Sequence, residues 1–301
     1  MHFTVQCAVI LTAIVTYSPV HPQEIRPFLN TFVGEGRAPF IVYVKTTVQG
    51  GTDKKCTGTI LDKNWVLTLA SCVSEPSNTT IITVQANLNS YDFPSPKSQM
   101  RLVVEVNPHP LYKPDRLAEA DLALLLVQHP FIINDHVQPI KMFARSWPVE
   151  DGRPAKITCS VIGYGNIDYT KYDSKLKVRK VQVTHSDSCA CTRRNQWMNL
   201  LCLDPMDDVG LCSEDDGAPL IYESELIGIN HMLIVKSNCT EVLDANDICG
   251  DYSVVSYFMY LCQYLAWMKD MVVTLPDQPQ YCNRSTLPTF NVATLLVGFL
   301  F

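Results

Sequence analysis

The chain has 301 residues, 47% apolar and 18% charged, enough apolar content to bury a large core in one or two compact domains. A net charge of -6, from 24 basic and 30 acidic side chains, argues against nucleic acid or heparin as partner, because polyanions need clustered cations. Twelve cysteines with no CxxC pair point to an oxidising compartment and a disulfide framework; no metal and no cofactor is implied.

In chain order, an apolar run over residues 3–15 followed by Tyr17, Ser18 and Pro19 reads as a secretory signal over residues 1–22, with cleavage near residues 18–23. A cationic start is missing, His2 being the one candidate charge. The body is β-rich: apolar runs at residues 40–44, 65–69, 81–84, 102–104 and 226–229 are bounded by polar or turn residues, as strands of a sandwich or barrel would be. Residues 175–180 carry the basic cluster, read as a solvated strand or loop. Residues 257–272 give the strong helical pattern. A spacer and tail occupy residues 274–301. The last 12 residues, 290–301, are apolar and uncharged but too short to span a bilayer core of about 30 Å as a helix. They fit a removed signal for a lipid anchor attached near Asn283 or Ser285, or the docked C-terminus of a soluble protein. Sequons at Asn78, Asn238 and Asn283 agree with secretion.

Five segments then occur in a telling order. Residues 56–72 end Leu-Ala-Ser-Cys, with Ser71 before Cys72. His109-Pro110-Leu111-Tyr112 precedes Ala120-Asp121-Leu122-Ala123-Leu124. Cys159 leads into Gly163-Tyr164-Gly165. Cys212-Ser213-Glu214-Asp215-Asp216-Gly217 precedes Ala218-Pro219-Leu220. Residues 258–268 contain Cys262, Tyr264 and Trp267. Together they resemble the trypsin-like serine proteases over about residues 28–270, with serine replacing the histidine of Ala-Ala-His-Cys and aspartate replacing the serine of Gly-Asp-Ser-Gly-Gly-Pro.

The resemblance implies two antiparallel six-stranded β-barrels, about residues 28–135 and 145–255, closed by the helix at 257–272 within a domain over residues 28–273. It also implies that catalysis is lost. In the family a histidine takes the serine's proton, an aspartate orients it, and backbone amides hold the oxyanion. Here Ser71 stands at the base position and cannot accept that proton. Asp121 is the retained aspartate, and Asp216, a poor attacker of amides, stands at the nucleophile. Glu214 replaces the oxyanion glycine and adds negative charge. Loss of the serine or the histidine alone lowers turnover about a million-fold in subtilisin. The specificity pocket is altered too: Gly210 falls at its floor, with Met232 and Leu233 where a tryptophan and a glycine usually form the wall. His231 replaces a serine that reaches the triad aspartate, so it is either a buried partner of Asp121 or part of a rearranged Ser71, His231 and Asp121 trio.

In active members a freshly cut terminus folds in to pair with the aspartate before the nucleophile, here Asp215. The matching stretch, residues 27–30, has neither suitable residues nor, with Pro27 after Arg26, a favourable bond to cut. Glu214, Asp215 and Asp216 also offer oxygens to a hard cation such as calcium, although a solvated or locally paired loop is the ordinary reading. The family bridges imply Cys56 with Cys72, Cys212 with Cys249, and Cys202 with Cys189 or Cys191. Tyr222 stands where the mate of Cys159 belongs. A pairing of Cys262 with Cys282 is plausible, and an odd remainder allows a disulfide-linked dimer. The functional expectation is a secreted or surface-tethered protease homolog that binds an extracellular protein, whether protease, inhibitor or receptor, as cofactor, decoy or adaptor. The competing readings are a serine endopeptidase with weak or rearranged activity and a structural disulfide-linked surface protein.

Overall fold

Short β-branched and aromatic runs separated by turns fold into two barrels in the computed structural model, which describes residues 31–48, 50–73, 80–114, 120–165, 174–185, 189, 200–203, 211, 215–237, 242–243 and 253–282. The expected leader over residues 1–22, the sequons at Asn78, Asn238 and Asn283, and the tail beyond residue 282 lie outside the described residues.

After β1 (Thr31–Phe32), the first barrel comprises β2 (Ile41–Val48), β3 (Lys54–Asp62), β4 (Trp65–Thr68), β5 (Thr80–Ala86), β6 (Gln99–Pro108) and β7 (Ala123–Val127). All neighbours are antiparallel and the barrel closes in the order β2, β3, β4, β7, β6, β5. Its core holds Val42, Ile60, Val66, Leu67, Val84 and Leu124, all with essentially no exposed surface. The packing is tight enough that a Cβ on Gly58 would fall within 3 Å of the Val42, Val44 and Val66 side chains.

Short strands β8 (Lys141–Met142), β9 (Val149–Glu150) and β10 (Arg153–Pro154) lie in the connection to the second barrel. That barrel comprises β11 (Ile157–Gly163), β12 (Lys177–His185), β13 (Leu200–Leu203), β14 (Pro219–Tyr222), β15 (Glu225–Val235) and β17 (Val254–Tyr260), with β16 (Val242–Leu243) alongside β15. It runs β12, β11, β14, β15, β17, β13 and closes by pairing β13 with β12. The fold is the all-β, two-barrel architecture that the resemblance implied, ended by one short helix, α1 (Leu265–Met271).

Two expectations need correction. The helix expected over residues 257–272 begins later: residues 257–260 belong to β17, followed by a 3-10 turn (Leu261–Tyr264) and then α1. Every residue of β17 is buried because the strand is paired on both sides, with β15 and β13. Its continuous apolar run therefore lacks the alternation that separates a strand from a buried helix. The basic cluster at 175–180 is a solvated face only in part: Lys175 and Lys180 are exposed. Strand alternation turns Lys177 and Arg179 inward with Val181 and Val183, and both cations are buried.

The barrels meet through aromatic packing. Tyr164 is fully buried, edge-on to Tyr43 at 5.5 Å, and its hydroxyl donates to the Leu88 carbonyl at 2.6 Å. Behind the first barrel, His109 packs between Tyr264 and Trp267, at ring separations of 5.1 and 4.8 Å, and so anchors the C-terminal turn and helix.

Candidate functional site between the barrels

The first barrel contributes Ser71 and Asp121. Ser71 sits in the turn that leaves β4, where the Cys72 amide donates to the Leu69 carbonyl. Asp121 precedes β7 and follows Ala120, which is held at a φ of 50°, a left-handed conformation unusual for a side chain. The Ser71 amide donates to Asp121 Oδ1 at 2.7 Å, tying the two loops together. Lys54 Nζ donates to the Ser71 carbonyl at 2.7 Å, a neighbour the motif comparison did not single out.

From the second barrel comes His231. The pairing of β15 with β17 shifts register between Asn230 and Met232, so His231 is the extra residue of a β-bulge that re-aims its side chain. His231 Nδ1 lies 3.1 Å from Asp121 Oδ2, with the two side chains only 8% and 7% exposed. The two side chains approach closely without an aligned hydrogen bond, and neither ring nitrogen has a hydrogen-bond partner. Burial pushes the Asp121 carboxyl upward. The His231 imidazole and the Ser71 amide and hydroxyl outweigh this and hold it below the ordinary aspartate range.

Asp216 enters on the loop before β14. The Asp216 carbonyl accepts the Thr57 amide at 2.8 Å, and the Gly217 amide donates to the Asn230 carbonyl at 3.0 Å, so backbone bonds to both barrels fix the loop. Gly217 is required there: its φ is +78°, and a Cβ would fall 2.3 Å from the Thr57 carbonyl. Burial pushes the Asp216 carboxyl up to about 6; Lys54 and His231 oppose the shift, while Asp121 and Asp215 add to it. Near neutral pH this position therefore holds a desolvated, mostly ionised carboxylate.

Asp215 turns the other way. Its Oδ1 accepts the Gly165 amide at 2.9 Å, and its carboxylate covers Gly163 and Gly165 so closely that a Cβ on either would collide with it. With Gly163, Gly165, Lys177 and Arg179 it lines one small cavity. Asp216 instead feels the charges of Lys54, His231 and Asp121, and Glu214, the third residue of the calcium reading, lies outside the described residues. Among the described residues, no three His, Cys, Asp or Glu side chains converge as metal ligands.

Of the residues expected at the pocket, Met232 and Leu233 are buried, while Gly210 lies outside the described residues, as does Glu214 of the oxyanion position. Bridges join Cys56 to Cys72, Cys189 to Cys202, and Cys262 to Cys282. Cys191, Cys212 and Cys249 lie outside the described residues. Cys159 is free and buried, across from Tyr222 by the register that pairs Ser160 with Ile221, and burial pushes its thiol up to about 12.

A sequence profile described as Trypsin matches residues 33–248. The chain belongs to the trypsin family. Kallikrein 1-related peptidase b11 of Mus musculus is 28% identical over 234 residues, 73% of this chain and 81% of that relative. Kallikrein-1 of Mus musculus is 30% identical over 192 residues, 59% of this chain and 69% of that relative. Among solved structures, neuropsin, a serine protease expressed in the limbic system of mouse brain, matches with a TM-score of 0.64 at 19% identity, covering 81% of this chain and 98% of that one. A structure described as GrC matches with a TM-score of 0.65 at 21% identity and the same coverage. These two likenesses bear on the trypsin fold alone. Within that fold, Ser71, Asp121 and His231 share one inter-barrel cluster, and Asp216 feels the charges of Asp121, His231 and Lys54.

Proposed function

We propose that this trypsin-family chain is a non-catalytic homolog that binds protein rather than cutting it. The observation that carries the reading is the state of Asp216: a half-buried carboxyl, pushed up to about 6 by desolvation, stands where the family places its nucleophile. The imidazole of the cluster, His231, is turned to Asp121, while position 71 is a serine with no basic nitrogen. A carboxylate without a base to assist it does not attack an amide at a useful rate. Secretion, glycosylation at Asn78, Asn238 and Asn283, and a lipid-anchored C-terminus complete the proposal. The partner is an extracellular protease, inhibitor or receptor, toward which the chain acts as cofactor, decoy or adaptor. The domain division given above, one unit over residues 28–273 followed by a spacer and tail, belongs to the same proposal.

A second reading keeps hydrolysis: Ser71 as nucleophile, His231 as base and Asp121 as orienter. The 3.1 Å contact between His231 and Asp121 favours it. Against it, the Ser71 amide and hydroxyl both serve Asp121, leaving the hydroxyl oriented by a carboxylate instead of an imidazole. Chromogenic peptides with arginine, phenylalanine or valine before the scissile bond separate the two. The proposal expects no turnover above blank. Turnover that disappears in Ser71→Ala establishes the second reading.

A further inference from the structure

Strand β6 carries its polarity inside out. An antiparallel barrel strand ordinarily turns apolar side chains to the core and polar ones to solvent. The ladder with β5 sets Arg101 beside the fully buried Val84, and sets Met100 beside Gln85 and Leu102 beside Thr83 on the opposite face. Met100, Leu102 and Val104 are 64%, 41% and 54% exposed, while Gln99 and Arg101, which alternate with them, are half-buried. Ile81 of β5 is exposed on the same face as Thr83 and widens the row. A slip of one residue would turn the row inward, and hydrogen bonds oppose it. The Gln99 side-chain amide accepts from the Ile132 N–H and donates to the Ile132 carbonyl, each at 2.8 Å. Arg101 Nε donates to the carbonyls of His129 and Pro130 at 3.1 and 3.2 Å, and its guanidinium lies over the Phe131 ring. The polar side chains of β6 are thus committed to residues 129–132, and the apolar row is held outward. Grouped exposure of this kind, unlike scattered single side chains, marks an interaction surface.

We propose that this row is a contact between two copies of the chain, packed about a two-fold axis that sets the two β6 strands antiparallel. The charges at the ends of the row choose the occupant. Lys97, two residues before the strand, is exposed and meets Glu35 at 3.5 Å, a surface pair that costs little to exchange. At the other end Val104 is the extra residue of a bulge, and Glu105 after it is exposed as well. The row therefore runs from a cation to an anion, with Met100, Leu102 and Val104 between them. A two-fold contact uses the same patch on both subunits. Centred near Arg101, it brings Lys97 of one copy to Glu105 of the other, twice, and packs Met100 of one against Leu102 of the other. An anionic membrane surface would attract Lys97 and repel Glu105, so it matches only half of the row. None of these residues belongs to the inter-barrel cluster, and the contact is independent of whether that cluster cuts peptides.

Sedimentation velocity on the full secreted chain, from low to high micromolar concentration, tests the contact. The wild type is expected to pass from monomer to dimer. Met100→Glu, an exposed position, is expected to stay monomeric with an unchanged melting temperature. Glu105→Lys is expected to weaken association at least about ten-fold by bringing like charges together, and the addition of Lys97→Glu to restore it. A wild type that is monomeric throughout overturns the proposal, as does a dimer that survives Met100→Glu or that separates only on reduction. Failure of Lys97→Glu to rescue Glu105→Lys overturns the two-fold arrangement. A monomeric wild type whose binding to phosphatidylserine vesicles is lost in Met100→Glu assigns the row to a membrane instead.

Discussion

Asp121 and His231 reach each other from opposite barrels, Oδ2 to Nδ1 at 3.1 Å, and this contact links the two barrels at the candidate site. Asp121 also accepts the Ser71 amide, so it joins three segments at once. Asp121→Ala is expected to cost about 3–5 kcal/mol, because it leaves a buried imidazole and a buried amide without their partner. Asp121→Asn is expected to cost less, since the amide oxygen still accepts from Ser71. Urea denaturation of the two variants checks the order; equal costs contradict a role for the hydrogen bond from the Ser71 amide.

Asp216 should oppose folding near neutral pH. Its carboxyl is raised from 3.8 to about 6, so the folded chain holds a proton through that window that the unfolded chain has released. Stability from this group is complete below about pH 3.8 and is lost as pH rises through 6. Asp216→Asn is therefore expected to stabilise the protein at pH 7.5, by at most about 3 kcal/mol, with the gain shrinking toward pH 4. A gain independent of pH contradicts the shift.

His109 works in the opposite direction. Burial lowers its pKa from 6.5 to about 4, so the unfolded chain takes up the proton first as pH falls. Its contribution is complete above about pH 6.5 and is lost on the way to pH 4. His109→Phe keeps an aromatic ring against Tyr264 and Trp267 and is expected to flatten the decline of melting temperature between pH 7 and pH 5. An unaltered decline removes His109 from the account.

The Cys159 thiol, buried and pushed up to about 12, carries almost no thiolate at neutral pH. Peptide mapping after iodoacetamide treatment should find Cys159 alkylated only when denaturant is present. Alkylation of the native protein would show that this strand opens far more readily than its burial implies.

Much of this arrangement was legible in the sequence, and the rest was hidden for identifiable reasons. Ordered motifs around Cys72, Asp121, Gly163 and Gly217 identified the architecture and the cluster of Ser71, Asp121, His231 and Asp216 because each motif serves a tight backbone requirement. The start of the C-terminal helix was misread because a strand buried on both faces, Val254–Tyr260, has no alternation to betray it. Lys177 and Arg179 were placed in solvent because charge alone suggested it. The period-two pattern running on to Val181 and Val183 already put them on the inner face, where they line a cavity with Asp215. The bulge at His231 had no sequence marker, since no glycine or proline accompanies it.

The most direct test of the non-catalytic reading is labelling of the purified, folded chain with a serine-directed fluorophosphonate, read by intact mass and peptide mapping. The account predicts no adduct on the native protein, because no serine in the cluster has an imidazole positioned to take its proton. An adduct at Ser71 that is lost in His231→Ala would contradict it and make the chain a hydrolase built on Ser71, His231 and Asp121.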